Sequence, residues 1–458
     1  MSECKPPSLT LVDLFAGCGG LSLGMENAGF TPVFVNELNE HALETYLRNR
    51  SHRVGGKLFA EQPELHSRNA HELQSERLEK MVADLSRLGI VLPTLQEAQQ
   101  GANNGTLDLL TGGPPCQGYS GIGHRRSYAV DKQDIPSNQL YQRMAAIIER
   151  LRPRIFLFEN VRGLLNSYWT EEATRKIWPD VKKRFEAIKG YEVRFSLVKA
   201  SDYGVPQNRP RVLLVGIRSD IFDAAASTLL NLANDEQDAV AAGFLPRPSG
   251  AAYPDLVDLL SDLVDPTIEA QLAQSCYPKG LFATRNYLSD PTTDIQRRLR
   301  TTREGRVLAL GEPVTDHEYS KHSSRIVSKF QHMLENHGEI PEEAKTRKFS
   351  QRVLRRRWGN LAPNITATSM PDDYVHFAQA RTLTVREWAR LQLFPDWYEF
   401  AGKRTTGGIR RAGNPREGNF EREVPKYTQI GNAVPVGLAE EVGRHFNHIL
   451  SIATRKSR

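Results

Sequence analysis

A cysteine in a stiff turn, a glutamate closing an apolar run and two arginines one residue apart could together activate an unreactive carbon. They stand in GGPPCQGYS (112–120), ENV (159–161) and QNRPR (207–211). Pro114 and Pro115 stiffen the first turn and the flanking glycines leave Cys116 accessible, which sets it apart from a cysteine buried as a small hydrophobe. Glu159 ends RIFLFE (154–159), and a carboxyl group in apolar surroundings has a raised pKa and can give up a proton near neutrality. The alternative is an ordinary carboxylate at a strand end. Arg209 and Arg211 supply two guanidinium groups able to orient a carboxylate or bind phosphate. Cys4, Cys18 and Cys276 are expected to be inert. None of the four cysteines has CxxC or Cys/His ligand spacing, so no metal is expected.

A second constellation could hold a small molecule. In DLFAGCGGLSLG (13–24), Gly17, Gly19 and Gly20 follow an apolar run and precede a helical pattern, where a tight turn brings backbone close to a ligand. Ser22 stands where a strict GxGxxG would have its third glycine. Glu37 follows Asp13 by 24 residues, a spacing that suits a carboxylate gripping the ribose of a nucleoside-like cofactor. No Walker Lys-Ser/Thr follows, so an NTPase is not expected.

The elements that must position these groups read as strands at 9–15, 32–36, 107–111, 154–159, 191–198 and 211–217. Helices are predicted over 40–49 and over 138–151, where Leu140, Met144, Ile147, Ile148 and Leu151 share a face behind Ser137 as N-cap. Such alternation predicts an α/β, mostly parallel, doubly wound sheet. After residue 220 the alternation fades and residues 221–380 read as a separate, irregular region. Helices return over 384–393 and 436–450.

With 458 residues, two or three domains are expected. Four cysteines exclude a disulfide framework. No apolar run reaches membrane-spanning length and the N-terminus lacks a signal-peptide pattern, so a cytoplasmic protein is expected. The net charge of +6 is unevenly spread. Residues 221–280 carry nine acidic and two basic side chains, 345–357 seven basic and no acidic ones, and 403–426 seven basic and three acidic ones. Such basic runs are either solvated faces or phosphate contacts.

In this order, DLFAGCGG (13–20), NE (36–37), GGPPCQGYS (112–120), ENV (159–161), QNRPRV (207–212), RTLTVREWARLQLFPD (381–396) and QIGNAVPV (429–436) resemble the DNA (cytosine-5)-methyltransferases of bacterial restriction–modification systems. The likeness covers residues 9–218 and about 381–450. It implies a Rossmann-like S-adenosylmethionine domain, residues 1–219 completed by a C-terminal helix over 425–458, and a smaller target-recognition domain with its connecting segment over 220–424. It further implies Cys116 as the nucleophile that adds to C6 of a flipped-out cytosine, Glu159 at N3 and the exocyclic amine, and Arg209 and Arg211 positioning base and adduct. A sulfur adduct at C6 makes C5 nucleophilic, and the base must leave the stack to be reached. The cofactor S-adenosyl-L-methionine would be contacted by Phe15, Gly17, Gly19, Glu37, Leu38, Pro115, Asn432 and Val434.

Three departures stand against the family pattern. Where an Asp usually contacts the adenine, the nearest candidate is Asn69. The insertion 72–106 is large. The loop after Cys116 has IPSNQL (135–140) in place of Asp-x-Arg-Asn-x-Leu, which leaves Arg125 or Arg126 to close over the base. The implied partner is double-stranded DNA, with no membrane and no metal, bound by a monomer associated with the nucleoid through its substrate. A cognate restriction endonuclease encoded nearby is the companion such a setting implies. Two other readings use the same residues: a tRNA-directed relative, whose Cys-Phe-Thr signature is absent, and a catalytically silent DNA-binding protein, disfavoured by the intact Cys116, Glu159, Arg209 and Arg211. On the first reading, the basic runs at 345–357 and 403–426 contact DNA phosphates, and the acidic 221–280 stretch faces away.

Overall fold

The computed structural model describes residues 9–99, 105–115, 136–169, 175–226, 238–250, 252–273, 282–345, 351–354, 373–406 and 423–456. Apolar runs become strands and the 3.6-residue stripes become helices: β1 (Thr10–Leu14), α1 (Gly20–Asn27), β2 (Thr31–Asn36), α2 (Glu40–Arg48), β3 (His66–Ser67), α3 (Ser75–Arg87), β4 (Leu109–Gly112), α4 (Leu140–Leu151), β5 (Ile155–Val161), α5 (Ile177–Glu186), β6 (Tyr191–Lys199) and β7 (Pro210–Arg218). The strands form one seven-stranded sheet in the order β3-β2-β1-β4-β5-β7-β6. The short strand β3 was not anticipated. Nor does Ser137 cap α4: a 3-10 turn over Pro136–Gln139 precedes the helix, and Gln139 is its N-cap residue.

From β3 to β5 every pairing is parallel, as expected. β7 departs from this. It runs antiparallel to both β5 and β6. The ten residues between β6 and β7 are too few for a crossover helix, so the chain turns back on itself.

Strand residues alternate between two cores. Leu11, Leu109, Leu157 and Leu213 join α1 and a long final helix on one face. Val12, Leu110, Phe156 and Phe158 meet Tyr46, Met81, Met144, Ile148 and Phe185 from α2 to α5 on the other. Burial on both faces explains why the central strands read as unbroken apolar runs.

Beyond β7 come α6 (Ser219–Ala225), α7 (Leu256–Leu260), α8 (Pro266–Ala273), α9 (Asp294–Arg300), α10 (Ser324–Glu335), α11 (Val385–Arg390), α12 (Lys426–Asn432) and α13 (Val436–Lys456). Residues of 220–424 divide between two clusters. Ala239, Phe244, Leu256, Leu260 and Leu299 join the α1–α13 face of the sheet, whereas Ile268, Leu272, Phe330, Met333 and Val375 form a core of their own. Thr384 and Glu387 close a capping box on α11.

A fully buried ionic layer binds the two stretches on either side of that core. Asp262 faces Arg300 at 2.7 Å and Arg390 at 2.6 Å, and Arg390 also holds Asp396 at 2.5 Å. Tyr287 donates its hydroxyl to Asp396 at 2.6 Å. Burial alone would raise the Asp396 carboxyl, but Arg390, helped by Arg386 and the Tyr287 hydroxyl, outweighs it and holds the group below the usual carboxylate range.

Candidate active site

The carboxyl ends of β1, β2, β4 and β5 share one edge of the sheet, the edge at which open α/β sheets bind ligands. On that edge β1 ends in a turn that starts with Phe15, whose φ of 56° puts a bulky residue in the left-handed region. Ala16 N–H donates to Asn36 O at 2.9 Å, and Gly19 N–H to Ala16 O at 3.0 Å. Gly17 N–H donates to the Glu37 carboxylate at 2.8 Å, while Asn39 N–H takes its other oxygen at 2.7 Å. Glu37 is half-buried. Desolvation pushes its carboxyl up, opposed by these two backbone donors.

These residues fit a nucleoside cofactor. A Cβ built on Gly17 would meet nothing within 4 Å, so the backbone there can be approached closely. Glu37 presents a carboxylate suited to a sugar diol, and Leu38 beside it is 65% exposed, an apolar surface suited to a base. Asn36 Nδ2 donates to Arg68 O at 3.0 Å, which brings the 68–69 segment to the end of β2. Asn69 itself is half-buried and engaged locally, its Oδ1 accepting from His71 N–H at 3.0 Å. Val434 is buried, and its carbonyl oxygen would lie 2.5 Å from a Cβ at Gly20, so the segment after α12 seats on the start of α1. Asn432 is exposed.

At the end of β4, residues 113–115 lead directly into Cys116, which lies outside the described residues, as do Cys4, Cys276, Arg125 and Arg126. The turn rests on β5. Asn160 Nδ2 donates to Pro114 O at 3.1 Å and its Oδ1 accepts from Val161 N–H at 2.9 Å. A Cβ on Gly113 would stand 2.7 Å from Glu159 Oε2, so only glycine lets the turn lie this close to that carboxylate.

Glu159 is buried, and Arg211 Nε lies 2.5 Å from its Oε1. That N–H does not point along the contact, so the attraction is more ionic than hydrogen-bonded. Desolvation pushes the Glu159 carboxyl up, with Arg211 first and Arg209 second pulling it back. The net direction is upward, as the sequence predicted. Arg209 is buried and donates to Gly431 O at 2.5 Å, one residue before Asn432.

The reversal of β7 is what makes this cluster possible. Arg209 and Arg211 stand at the beginning of β7, and in antiparallel register Arg211 falls opposite Val161 at the end of β5. A parallel β7 would have carried both arginines to the opposite edge. The structure thus gathers Glu159, Arg211, Arg209 and residues 113–115 in one place, and Phe15, Gly17, Gly19 and Glu37 in a neighbouring one.

Asn160 and Asp13 were not assigned roles from sequence. Asn160 was quoted within ENV, but nothing in its type marked it as a bracket for the proline turn. Asp13 did carry a signal, a lone carboxylate in the apolar run LTLVDLF. It is buried and accepts from Thr111 Oγ1 at 2.8 Å, linking the two ligand-facing strands β1 and β4. Cys18 is buried, its thiol pushed up to about 12 by burial first and by Glu37 second, which fits an inert cysteine. Among the described residues no group of three or more His, Cys, Asp or Glu side chains could hold a metal ion, and no helix is long and apolar enough to cross a membrane.

Comparison with known proteins gives one consistent picture. The family profile of the C-5 cytosine-specific DNA methylases matches residues 9–70 and 94–448. The Type II methyltransferase M.DdeI of Desulfomicrobium norvegicum is 28% identical, over 96% of this chain and 90% of that protein. The Type II methyltransferase M1.HphI of Haemophilus parahaemolyticus is 26% identical, over 95% of this chain and 86% of that protein. A solved E. coli prophage-encoded structure, described as a DNA modification methyltransferase, superposes with a TM-score of 0.59 at 22% identity, covering 97% of this chain and all of that one. This last likeness is one of fold.

Proposed function

This chain belongs to the C-5 cytosine-specific DNA methylase family and is a DNA (cytosine-5)-methyltransferase of the restriction–modification type, and from that premise we propose how its residues carry out the reaction. The observation that carries the proposal is the buried Glu159–Arg211 pair lying directly beneath the turn that leads into Cys116. A cytosine extruded from double-stranded DNA enters beside this turn, because C6 is shielded in the stack. Cys116 Sγ adds to C6 and breaks the ring's conjugation. Glu159, whose carboxyl burial raises against the pull of Arg211, contacts N3 and accepts from the exocyclic amine, and a proton held between Glu159 and N3 meets the negative charge arriving there. Electron density then lies at C5. When bound, S-adenosylmethionine supplies the methyl group that C5 takes up. Water then takes the C5 proton, the C6–S bond breaks to release Cys116 as a thiolate, and N3 returns its proton to Glu159, which restores the aromatic ring.

Arg211 acts on Glu159, holding its carboxyl and tempering its rise in pKa. Arg209 joins Gly431 to this cluster and so sets the segment carrying Asn432 and Val434 against the cofactor turn. Phe15, Gly17, Gly19, Glu37, Leu38, Asn69 and Pro115 complete the cofactor surface, Glu37 through its carboxylate and Leu38 through its exposed side chain. The division into a catalytic unit of 1–219 with 425–458 and a target-recognition unit of 220–424 belongs to this proposal. So does the setting: a monomer in the cytoplasm, acting on double-stranded DNA beside a cognate endonuclease.

Duplex DNA with 5-fluorocytosine in place of cytosine tests the chemistry, because fluorine at C5 cannot leave as a proton does. With S-adenosylmethionine the protein is expected to form a denaturation-resistant DNA adduct that Cys116→Ser abolishes. An adduct that persists in Cys116→Ser refutes the assignment of the nucleophile. An adduct on tRNA but on no DNA refutes the assignment of the substrate.

A further inference from the structure

Beneath the cofactor turn lies a buried polar cage that the proposed chemistry does not use. Tyr398, fully buried, donates its hydroxyl to Cys18 O at 2.5 Å. Arg50 Nη1 lies 3.4 Å from the same hydroxyl, and its guanidinium stacks over the Tyr46 ring at 3.3 Å. Arg50 is held by Glu26 at 2.5 Å, and Tyr46 Oη meets Ser22 Oγ at 2.7 Å. Burial pushes the Tyr398 phenol well above its ordinary range, so it stays a neutral donor. A Cβ on Gly19 would stand 2.8 Å from Tyr398 Oη, 2.9 Å from Tyr46 Cδ2 and 3.0 Å from Arg50 Nη2. With a φ of 88° at Gly19 as well, only glycine lets the turn lie this close to its floor.

We propose that Tyr398 is a positioning residue for S-adenosylmethionine: its hydroxyl fixes the Cys18 carbonyl and so sets residues 16–19, whose other side presents Gly17 to the cofactor. This rests on the cofactor reading given above. Two geometric facts carry it. Gly17 is bound to Glu37 on the ligand side of the turn and Cys18 to Tyr398 on the buried side, so a shift at one is passed along a single peptide to the other. Tyr398 is itself anchored, since Arg386 Nη2 donates to its carbonyl at 2.7 Å and Asp396, two residues earlier, is locked by Arg390 and Tyr287. The turn formed by the first strand therefore takes its position from a segment 380 residues away in the chain.

Calorimetric titration of the full-length protein with S-adenosylmethionine, and of DNA binding in parallel, tests this. Tyr398→Phe keeps the ring and removes the donor. Its Kd for S-adenosylmethionine is expected to rise about five- to tenfold, the effect of one such hydrogen bond, while Kd for DNA stays within twofold. In turnover the same split appears as a raised KM for S-adenosylmethionine with kcat and the DNA KM unchanged. Arg50→Lys, which keeps the charge facing Glu26 and gives up the reach to Tyr398, is expected to give a smaller rise of the same kind, and it decides the matter should Tyr398→Phe not fold. If both variants that fold bind S-adenosylmethionine as the wild type does, or weaken S-adenosylmethionine and DNA equally, Tyr398 is structural only and the proposal is overturned. Absence of S-adenosylmethionine binding by the wild type would instead overturn the cofactor reading on which it rests.

Discussion

Replacing Asp13 by Asn makes the stability of the protein less dependent on pH, by an amount that the structure sets. Asp13 is buried between β1 and β4, and burial, only partly offset by Thr111, Ser22 and Arg50, pushes its carboxyl from 3.8 to about 6. The folded protein thus prefers the neutral acid. Its contribution is fully present below the unfolded value of 3.8 and is lost as pH rises through 6. At about 1.4 kcal/mol per pKa unit, ionising Asp13 lowers stability by about 1 kcal/mol at pH 4.5 and by about 3 kcal/mol at pH 8. Asparagine keeps the shape and an acceptor for Thr111 but has no such dependence. Its fixed effects, including a misplaced amide opposite the unpartnered Oδ2, are the same at both pH values and cancel on subtraction. Urea unfolding of wild type and Asp13→Asn at pH 4.5, 6 and 8 should therefore show the variant gaining about 2 kcal/mol relative to wild type across that span, most of it below pH 6.5. Parallel pH–stability curves would refute the reasoning and show that Asp13 is ionised with ease where it lies.

Other perturbations act at separate points of the site. Glu159→Ala should retain DNA binding in a gel shift yet lower transfer of labelled methyl groups by orders of magnitude; unchanged turnover would remove Glu159 from the mechanism. Gly113→Ala inserts a carbon 2.7 Å from Glu159 Oε2, and methyl transfer should fall at least about tenfold with a much smaller loss of calorimetric S-adenosylmethionine binding, since the cofactor surface other than Pro115 lies away from this turn. Arg390→Met leaves Asp262 and Asp396 buried without their shared cation, and urea unfolding should show a loss of roughly 3–5 kcal/mol. A loss below about 1 kcal/mol there would mean that Arg300 and Arg386 suffice.

The parts of this molecule that were legible in the sequence are those governed by local pattern. LTLVDLF and RIFLFE announce β1 and β5 because a strand buried on both faces needs an apolar residue at nearly every position. The stripe through Leu140, Met144 and Ile148 announces α4, although its first turn is wound as a 3-10 helix that no cap residue betrays. The Gly-rich turn, Glu37 and Glu159 were legible because their chemistry is uncommon in their context. What escaped was set by contacts distant in the chain. The direction of β7 depends on the length of one loop, and it decides whether Arg211 meets Glu159 at all. Thr45 Oγ1 meeting Gln429 Oε1 at 2.7 Å, or Tyr398 meeting Cys18, joins residues whose local patterns have nothing in common. Between the helix expected over 40–49 and the strand expected over 107–111 no element was anticipated, yet that stretch yields β3 and α3, whose Leu78, Met81 and Leu85 help to close one core.

The cofactor turn is encoded within the first two dozen residues, but Tyr398, Gln429 and Val434 fasten it. During synthesis the growing chain therefore holds this turn only through Asn36 and Glu37 until the segment carrying Tyr398 has been made. On the proposed roles, a chain released before residue 398 would hold Cys116, Glu159, Arg209 and Arg211 and lack the late contacts that set the turn against its buried floor.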